Sequence, residues 1–384
     1  MARARNFHSR TEQLVPLDRG ARFLAVARTE VFQLDERLVP RRVLDARTGE
    51  ERALGEVSVI RTPGAEDRFQ SLLASMPPGV ATLAEHSLLN PAVSGDQRPL
   101  NIYPTLIAGA AHSNHCALIL GVVLGCWDYR LRIIDTETMV IVAETDLGRV
   151  HPFLDKGVIS LALDGEGAKV AIARLLLEIG GGGKIVTSFF PHLEAPASFT
   201  VETPVEIYDG MSLYYAVSGF HLGWCEGRWL MARPWKGMWF LLVLDEKGRV
   251  VDEKGLSGPV SCLAAATASA SVALGISPCG VEVVDLATMT SRIYQPFEPG
   301  DPNDVVDVAI APDGSWVAVH RRASEFLALQ SGRDRLISLP PLETVFEDFD
   351  ESNDLCTTPA FGIGTRYLIT VSGGAPTLQE IDFS

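Results

Sequence analysis

The chain has 384 residues, 47% of them hydrophobic and 21% charged, a balance that excludes extensive disorder. Its 48 Asp and Glu against 33 Lys and Arg give a net charge of −15. That excludes a general nucleic-acid binder, because phosphate binding needs a basic surface.

Met1-Ala-Arg-Ala-Arg-Asn-Phe-His-Ser-Arg10 is basic, but no apolar stretch follows it, so no secretory leader is expected. The longest apolar run, Ala117 to Cys126, is strand-length and too short to cross a bilayer. Cys116, Cys126, Cys225, Cys262, Cys279 and Cys356 form no CxxC pair, and most sit in or beside apolar runs. There a thiol behaves as a small hydrophobe. A reducing, cytoplasmic location without a membrane partner is expected.

In chain order, seven short and nearly continuous apolar strands each follow a polar turn. They are Phe23-Leu-Ala-Val-Ala27, Cys116-Ala-Leu-Ile-Leu120, Val170-Ala-Ile-Ala173, Trp229-Leu-Met-Ala232, Val272-Ala-Leu274, Trp316-Val-Ala-Val319 and Tyr367-Leu-Ile-Thr-Val371. From the second onward they recur every 43 to 59 residues. A second strand follows each and, in five units, ends in aspartate: Asp35, Asp135, Asp245, Asp285 and Asp382. Aspartate there accepts hydrogen bonds from turn amides and opens a tight connection. A further strand comes next, as in Val140 to Thr145 and Ser291 to Tyr294.

This period is that of a four-stranded propeller blade. It predicts an all-β fold, a single closed β-propeller over residues 1–384. The seven blades fall near 11–60, 100–150, 155–203, 205–256, 257–298, 303–345 and 353–384. The last lacks one strand, which Phe7 and its neighbours are expected to supply by pairing with it. Residues 61–99 interrupt the repeat: Phe69 to Met76 and Val80 to Leu89 have mixed three-and-four apolar spacing between prolines. A partly helical insertion is expected there, with an eighth, degenerate blade as the competing reading.

The stretch Val308-Ala-Ile-Ala-Pro312 followed by Asp313-Gly-Ser-Trp316-Val-Ala-Val319, and the strand Arg132-Ile-Ile-Asp135-Thr-Glu-Thr138, resemble the WD40-like superfamily of propellers over nearly the full length. No blade pairs a Gly-His start with a Trp-Asp end, so the resemblance is to a diverged member.

His112-Ser-Asn-His115-Cys116 holds potential zinc ligands, but the repeat puts His115 in a turn and Cys116 at the start of a buried strand. Gly180 to Lys184 lacks the upstream glycine and following Ser/Thr of a phosphate loop and lies between strands. A hairpin turn is expected. Arg233-Pro-Trp235-Lys236-Gly-Met238-Trp239 is the densest aromatic and cationic cluster, made of the residue types that dominate binding hot spots. Trp235 is expected at a loop tip and Trp239 at the start of the next strand. The acidic stretch Glu343 to Asp354 interleaves Phe346 and Phe349 with carboxylates. It reads as an inter-blade loop or as a contact for a basic partner.

No Gly-x-Ser-x-Gly elbow and no HExxH occurs. In a WD40-like blade the second-to-third-strand loop opens on the same face as the link between blades. By that rule Trp127, Arg233, Trp235, Lys236, Arg321, Arg322, Phe346 and Phe349 gather on one face as partner-binding residues. The sequence therefore reads as a non-catalytic protein-interaction scaffold or adaptor in a larger cytoplasmic assembly, without metal or cofactor. A propeller enzyme, lactonase-like or another metal-dependent hydrolase, with its site in the central channel, is the alternative. A small-molecule ligand stays open as a third.

Overall fold

The computed structural model describes residues 2–3, 13–17, 22–27, 30–34, 40–46, 48–52, 102–122, 128–149, 155–177, 182–192, 197–205, 219–277, 280–295, 305–321, 325–331, 336–338, 360–362, 367–372 and 375–380. Among these the chain is all-β, without helix. The described strands form seven antiparallel sheets, six of four strands and one of five.

Sheet 1 covers 13–52, with Glu51–Arg52 added as a short fifth strand beyond Pro40–Asp45. Sheets 2 to 6 cover 102–149, 155–205, 221–255, 260–294 and 305–338, each a meander of four consecutive strands. Sheet 7 joins Ala360–Gly362, Tyr367–Ser372 and Ala375–Glu380 to the first described residues of the chain, because Ala2–Arg3 pairs with Ala375–Glu380. The described strands lie inside the repeats expected from the sequence, except that sheet 3 runs on to Val205, past the expected 203, and that Ala2–Arg3 joins sheet 7. The partner of the last blade is Ala2–Arg3, while Phe7 lies outside the described residues, as does the whole of 53–101 with the expected insertion.

The first strand of each sheet packs on the first strand of the next. Gln13–Leu17 packs on Ile102–Gly109, that on Asp155–Leu163, and the series runs through His221–Cys225, Val260–Ala265 and Val305–Ile310 to Ala360–Gly362. Ala360–Gly362 in turn packs on Gln13–Leu17.

The core lies between sheets, which explains why the second strand of each unit is apolar over most of its length. Side chains alternate across a strand, so both sides of this one must be covered. In His115–Val122, Cys116, Leu118 and Leu120 pack against sheet 1, through Val15, Leu24, Val31 and Leu44. Ala117 and Ile119 point the other way, into a cluster with Leu163, Val170 and Ile172 of sheet 3. Four-stranded sheets apolar on both faces fold only when sandwiched, which makes the neighbour part of each sheet's stability. Burial relaxes at the fourth strands: Val140 is 52% exposed.

The turns that open the second strands repeat one hydrogen-bonding scheme. Ala110, Asp164, Ala266 and Ala311 each donate a backbone N–H to the carbonyl five residues on. Neighbouring turns are then stapled: His112 N–H donates to Gly165 O, and Ala268 N–H to Pro312 O, both at 2.8 Å. Gly167 and Gly314 occupy equivalent positions at φ +74° and +75°.

A Cβ on Gly167 would lie 2.4 Å from His115 Cβ, whereas one on Gly237, at φ +76°, would meet nothing within 4 Å. Gly237→Ala is therefore expected to cost only the left-handed backbone term, about 1 kcal/mol. Gly167→Ala should cost clearly more, because it also pushes sheet 2 from sheet 3. Urea denaturation of the two variants measures the difference, and equal midpoints would contradict the inter-sheet staple.

Candidate partner-binding site

Sheet 4 positions the cluster. Arg228–Trp235 and Met238–Leu244 are joined by the two-residue turn Lys236-Gly237, with Trp235 opposite Met238. Both turn residues have positive φ, +50° and +76°, the geometry whose twist matches a hairpin. So short a turn leaves the tip little freedom. Trp235 thus ends its strand and the tip is Lys236-Gly237, one residue beyond where the sequence put it. Trp239 is the second residue of the next strand and packs with the core between sheets 4 and 5.

Alternation along Arg228–Trp235 sets the direction of each side chain. Trp229 and Met231 pack into the core between sheets 3 and 4, so Arg233 and Trp235 lie on that same face. Arg233 Nη1 donates to Thr203 Oγ1 of sheet 3 at 3.0 Å. Its guanidinium carbon lies 5.1 Å from the Trp235 ring centroid, and Lys236 Nζ lies 5.8 Å from the same centroid. One half-buried indole therefore holds two cations, each attracted by the ring quadrupole. Arg233 Nε is buried without a hydrogen-bond partner among the described residues. Burial pulls the guanidinium down from the ordinary arginine value, opposed by the exposed Glu253 carboxylate. Met238, beside Trp235, is 57% exposed.

Of the other residues proposed from sequence, Arg321 ends Trp316–Arg321, opposite Glu325, at the corresponding end of sheet 6. Trp127, Arg322, Phe346 and Phe349 lie outside the described residues. The structure thus brings together Arg233, Trp235 and Lys236, and adds Thr203, which sequence reasoning missed, and Met238, which it placed in the cluster without counting it as a binding residue. Met238 was readable, since taking Lys-Gly as the turn sets it opposite Trp235. Thr203 was not, because the contact crosses sheets.

The remaining motifs resolve into the scaffold. Gly183 opens a strand paired with Val170–Leu177, while Gly180 and Gly181 lie outside the described residues. His115 begins its strand, where the sequence had placed it in the turn. It lies at the seam with sheet 3, its Nδ1 3.4 Å from Glu166 O. Among the described residues no group of three or more His, Cys, Asp or Glu is arranged to hold a metal.

Burial pushes the Cys116 thiol up, and that of Cys225 up to about 12. A group raised in this way stays a protonated thiol in the fold through neutral and mildly alkaline pH, and only thiolates alkylate readily. Peptide-mapped iodoacetamide labelling at pH 8 should modify Cys116 and Cys225 only after denaturation. Labelling of either in the folded protein would contradict the burial.

No protein-family model and no curated protein matches the sequence. Solved structures do match its fold. The β-propeller domain of Cps50 (Swd1) from Myceliophteria thermophila aligns over 98% of both chains at 10% identity, with a TM-score of 0.56. U3-55K aligns over 99% of this chain and 98% of its own, at 11% identity and TM-score 0.53. The RRP9 WD40 repeats align over 97% and 92%, at 12% identity and TM-score 0.52. The fold is that of the WD40 β-propellers.

Proposed function

We propose that the chain is a single closed seven-bladed propeller with a partly helical insertion at 61–99. In this reading it is a non-catalytic protein-interaction scaffold or adaptor in a larger cytoplasmic assembly. Partners engage the face of the second-to-third-strand hairpins. Ring closure is supported by Ala2–Arg3 pairing with Ala375–Glu380 and by Ala360–Gly362 packing on Gln13–Leu17. The fold alone does not give a function.

The observation that carries the reading is the sheet 4 hairpin, where a fixed tryptophan with two cations and an exposed methionine sits at the end of a rigid ladder. Tryptophan and arginine held in one conformation bind at low entropic cost. The opposite face is less suited, because its polar groups bond one another. Asp135 accepts from the amides of Glu137 and Thr138, Asp285 from those of Ala287 and Thr288, and Asp245 from those of Lys247 and Arg249.

The Trp235→Ala, Arg321→Glu double variant is expected to lose proteins that the unaltered chain captures quantitatively from its native host, with stability kept within about 2 kcal/mol. A Lys247→Glu variant, in an opposite-face turn, should retain them. Loss with Lys247→Glu and retention with the double variant would place binding on the other face. Deleting residues 1–10 should lower Tm beyond the loss of a loose tail, because it exposes the edge of Ala375–Glu380. An unchanged Tm would reject closure by that strand.

A further inference from the structure

The geometry points to the class of partner: we propose that the Arg233–Trp235–Lys236–Met238 hairpin edge binds an acidic segment of a partner protein. The partner's carboxylate sits on Arg233 and Lys236, and an apolar side chain lies on Met238. This rests on the interaction reading above.

Three observations carry it. First, neither cation is held in an ion pair, although the Glu253 carboxylate acts on Arg233 through space. Elsewhere the described cations commonly meet a carboxylate, as in Arg42–Glu51 at 2.6 Å, Lys184–Glu202 at 2.8 Å, Lys169–Glu246 at 2.9 Å and Arg249–Asp245 at 2.6 Å. Arg233 and Lys236 make no ion pair with a described residue, and both lean on one indole instead. Glu202, on the neighbouring strand of sheet 3, is engaged by Lys184.

Second, Arg233 has an unused donor. Nη1 is spent on Thr203 and Nε is buried, so Nη2, which makes no hydrogen bond among the described residues, is the donor left for an arriving acceptor. A carboxylate is the acceptor that suits it, because a hydrogen bond between two ionised groups is stronger than one to a neutral acceptor.

Third, the setting favours a protein acid over other anions. A net charge of −15 repels extended polyanions, so recognition has to be short-range and local. Met238, 57% exposed beside Trp235, gives an apolar contact that a bare anion cannot use.

The test uses the full chain and fluorescence anisotropy. One probe is a fluorescein-labelled twelve-residue peptide alternating Glu with Phe and Leu; the second carries Lys in place of Glu; the third is a labelled single-stranded oligonucleotide. The acidic peptide should bind and its basic counterpart should not. Affinity should fall about tenfold or more on Trp235→Ala, as for a hot-spot residue, and also on Lys236→Glu. It should weaken further as salt rises from roughly 0.05 to 0.5 M. Lys236 is exposed at the tip, so its variant keeps the test valid should Trp235→Ala disturb the fold, which Tm reports. Absence of acidic-peptide binding, equal binding of the two peptides, binding untouched by Lys236→Glu, or preference for the oligonucleotide each overturns the proposal. Loss of host partners by the double variant alongside any of those outcomes would leave the interaction reading standing and remove only the acidic class.

Discussion

Burial of both faces of each sheet is the constraint on which the rest of this structure depends. A side chain such as Leu118 or Ile119, each fully buried, contributes about 1.5–3 kcal/mol through removal from water. The two point into different inter-sheet clusters. A turn-to-turn hydrogen bond such as His112 N–H to Gly165 O contributes about 0.5–1.5 kcal/mol net. Packing therefore holds the sheets together. The turn bonds, being directional, fix how far one sheet slides past its neighbour. No sheet can complete this arrangement alone, so a sequence that repeats the apolar second strand commits the chain to radial stacking.

The same division explains which local rules are broken. Asp45-Ala-Arg-Thr-Gly49, Asp135-Thr-Glu-Thr-Met139 and Asp285-Leu-Ala-Thr-Met289 share a pattern, and the fifth residue has φ of +77°, +52° and +53°. Glycine takes that conformation freely, whereas methionine there costs about 1–2 kcal/mol. Met139 is buried among Leu118, Ile134 and their neighbours, and Met289 packs against the core between sheets 4 and 5. Side-chain burial offsets the backbone cost in both. Gly49 takes the conformation without that cost, and a Cβ there, 2.5 Å from Ile141 Cδ1, would make the end of the Ile141 side chain move aside.

What was legible in the sequence follows from range. The apolar runs at Cys116, Val170, Trp229, Val272 and Trp316, and the aspartates at 135, 245 and 285, announce themselves because each is explained by residues within one strand or turn. The position of Trp235 was misjudged by one residue, since Lys236 is an unusual occupant of a positive-φ site and hid the two-residue turn. Contacts between sheets were not legible at all. Arg233 to Thr203, Gln33 Nε2 to Thr136 O at 2.7 Å and Arg42 Nη1 to Glu137 O at 2.6 Å join residues that only the assembled fold brings together. The last two cross the seam of sheets 1 and 2, yet no spacing in the chain announces it.

Those seam contacts also bear on where a partner can bind. Arg22 Nη1 donates to Asn114 Oδ1 at 3.3 Å, and Asn114 Nδ2 donates to Glu137 Oε2 at 2.7 Å. Arg132 bonds Glu144 and the Ala46 carbonyl, while Arg52 bonds the buried Asp45. A partner competing for these groups would have to break existing bonds before forming its own, and the exchange yields little net free energy. At the sheet 4 hairpin Arg233 spends one contact on Thr203 and otherwise shares the Trp235 ring with Lys236. Cation–ring attraction at partly exposed sites amounts to about 0.5–1 kcal/mol, less than a charge-assisted bond to a carboxylate at about 1.5–3 kcal/mol. The indole holds the cations in place without satisfying them, so an arriving acid adds bonds there where on the opposite face it would only replace them.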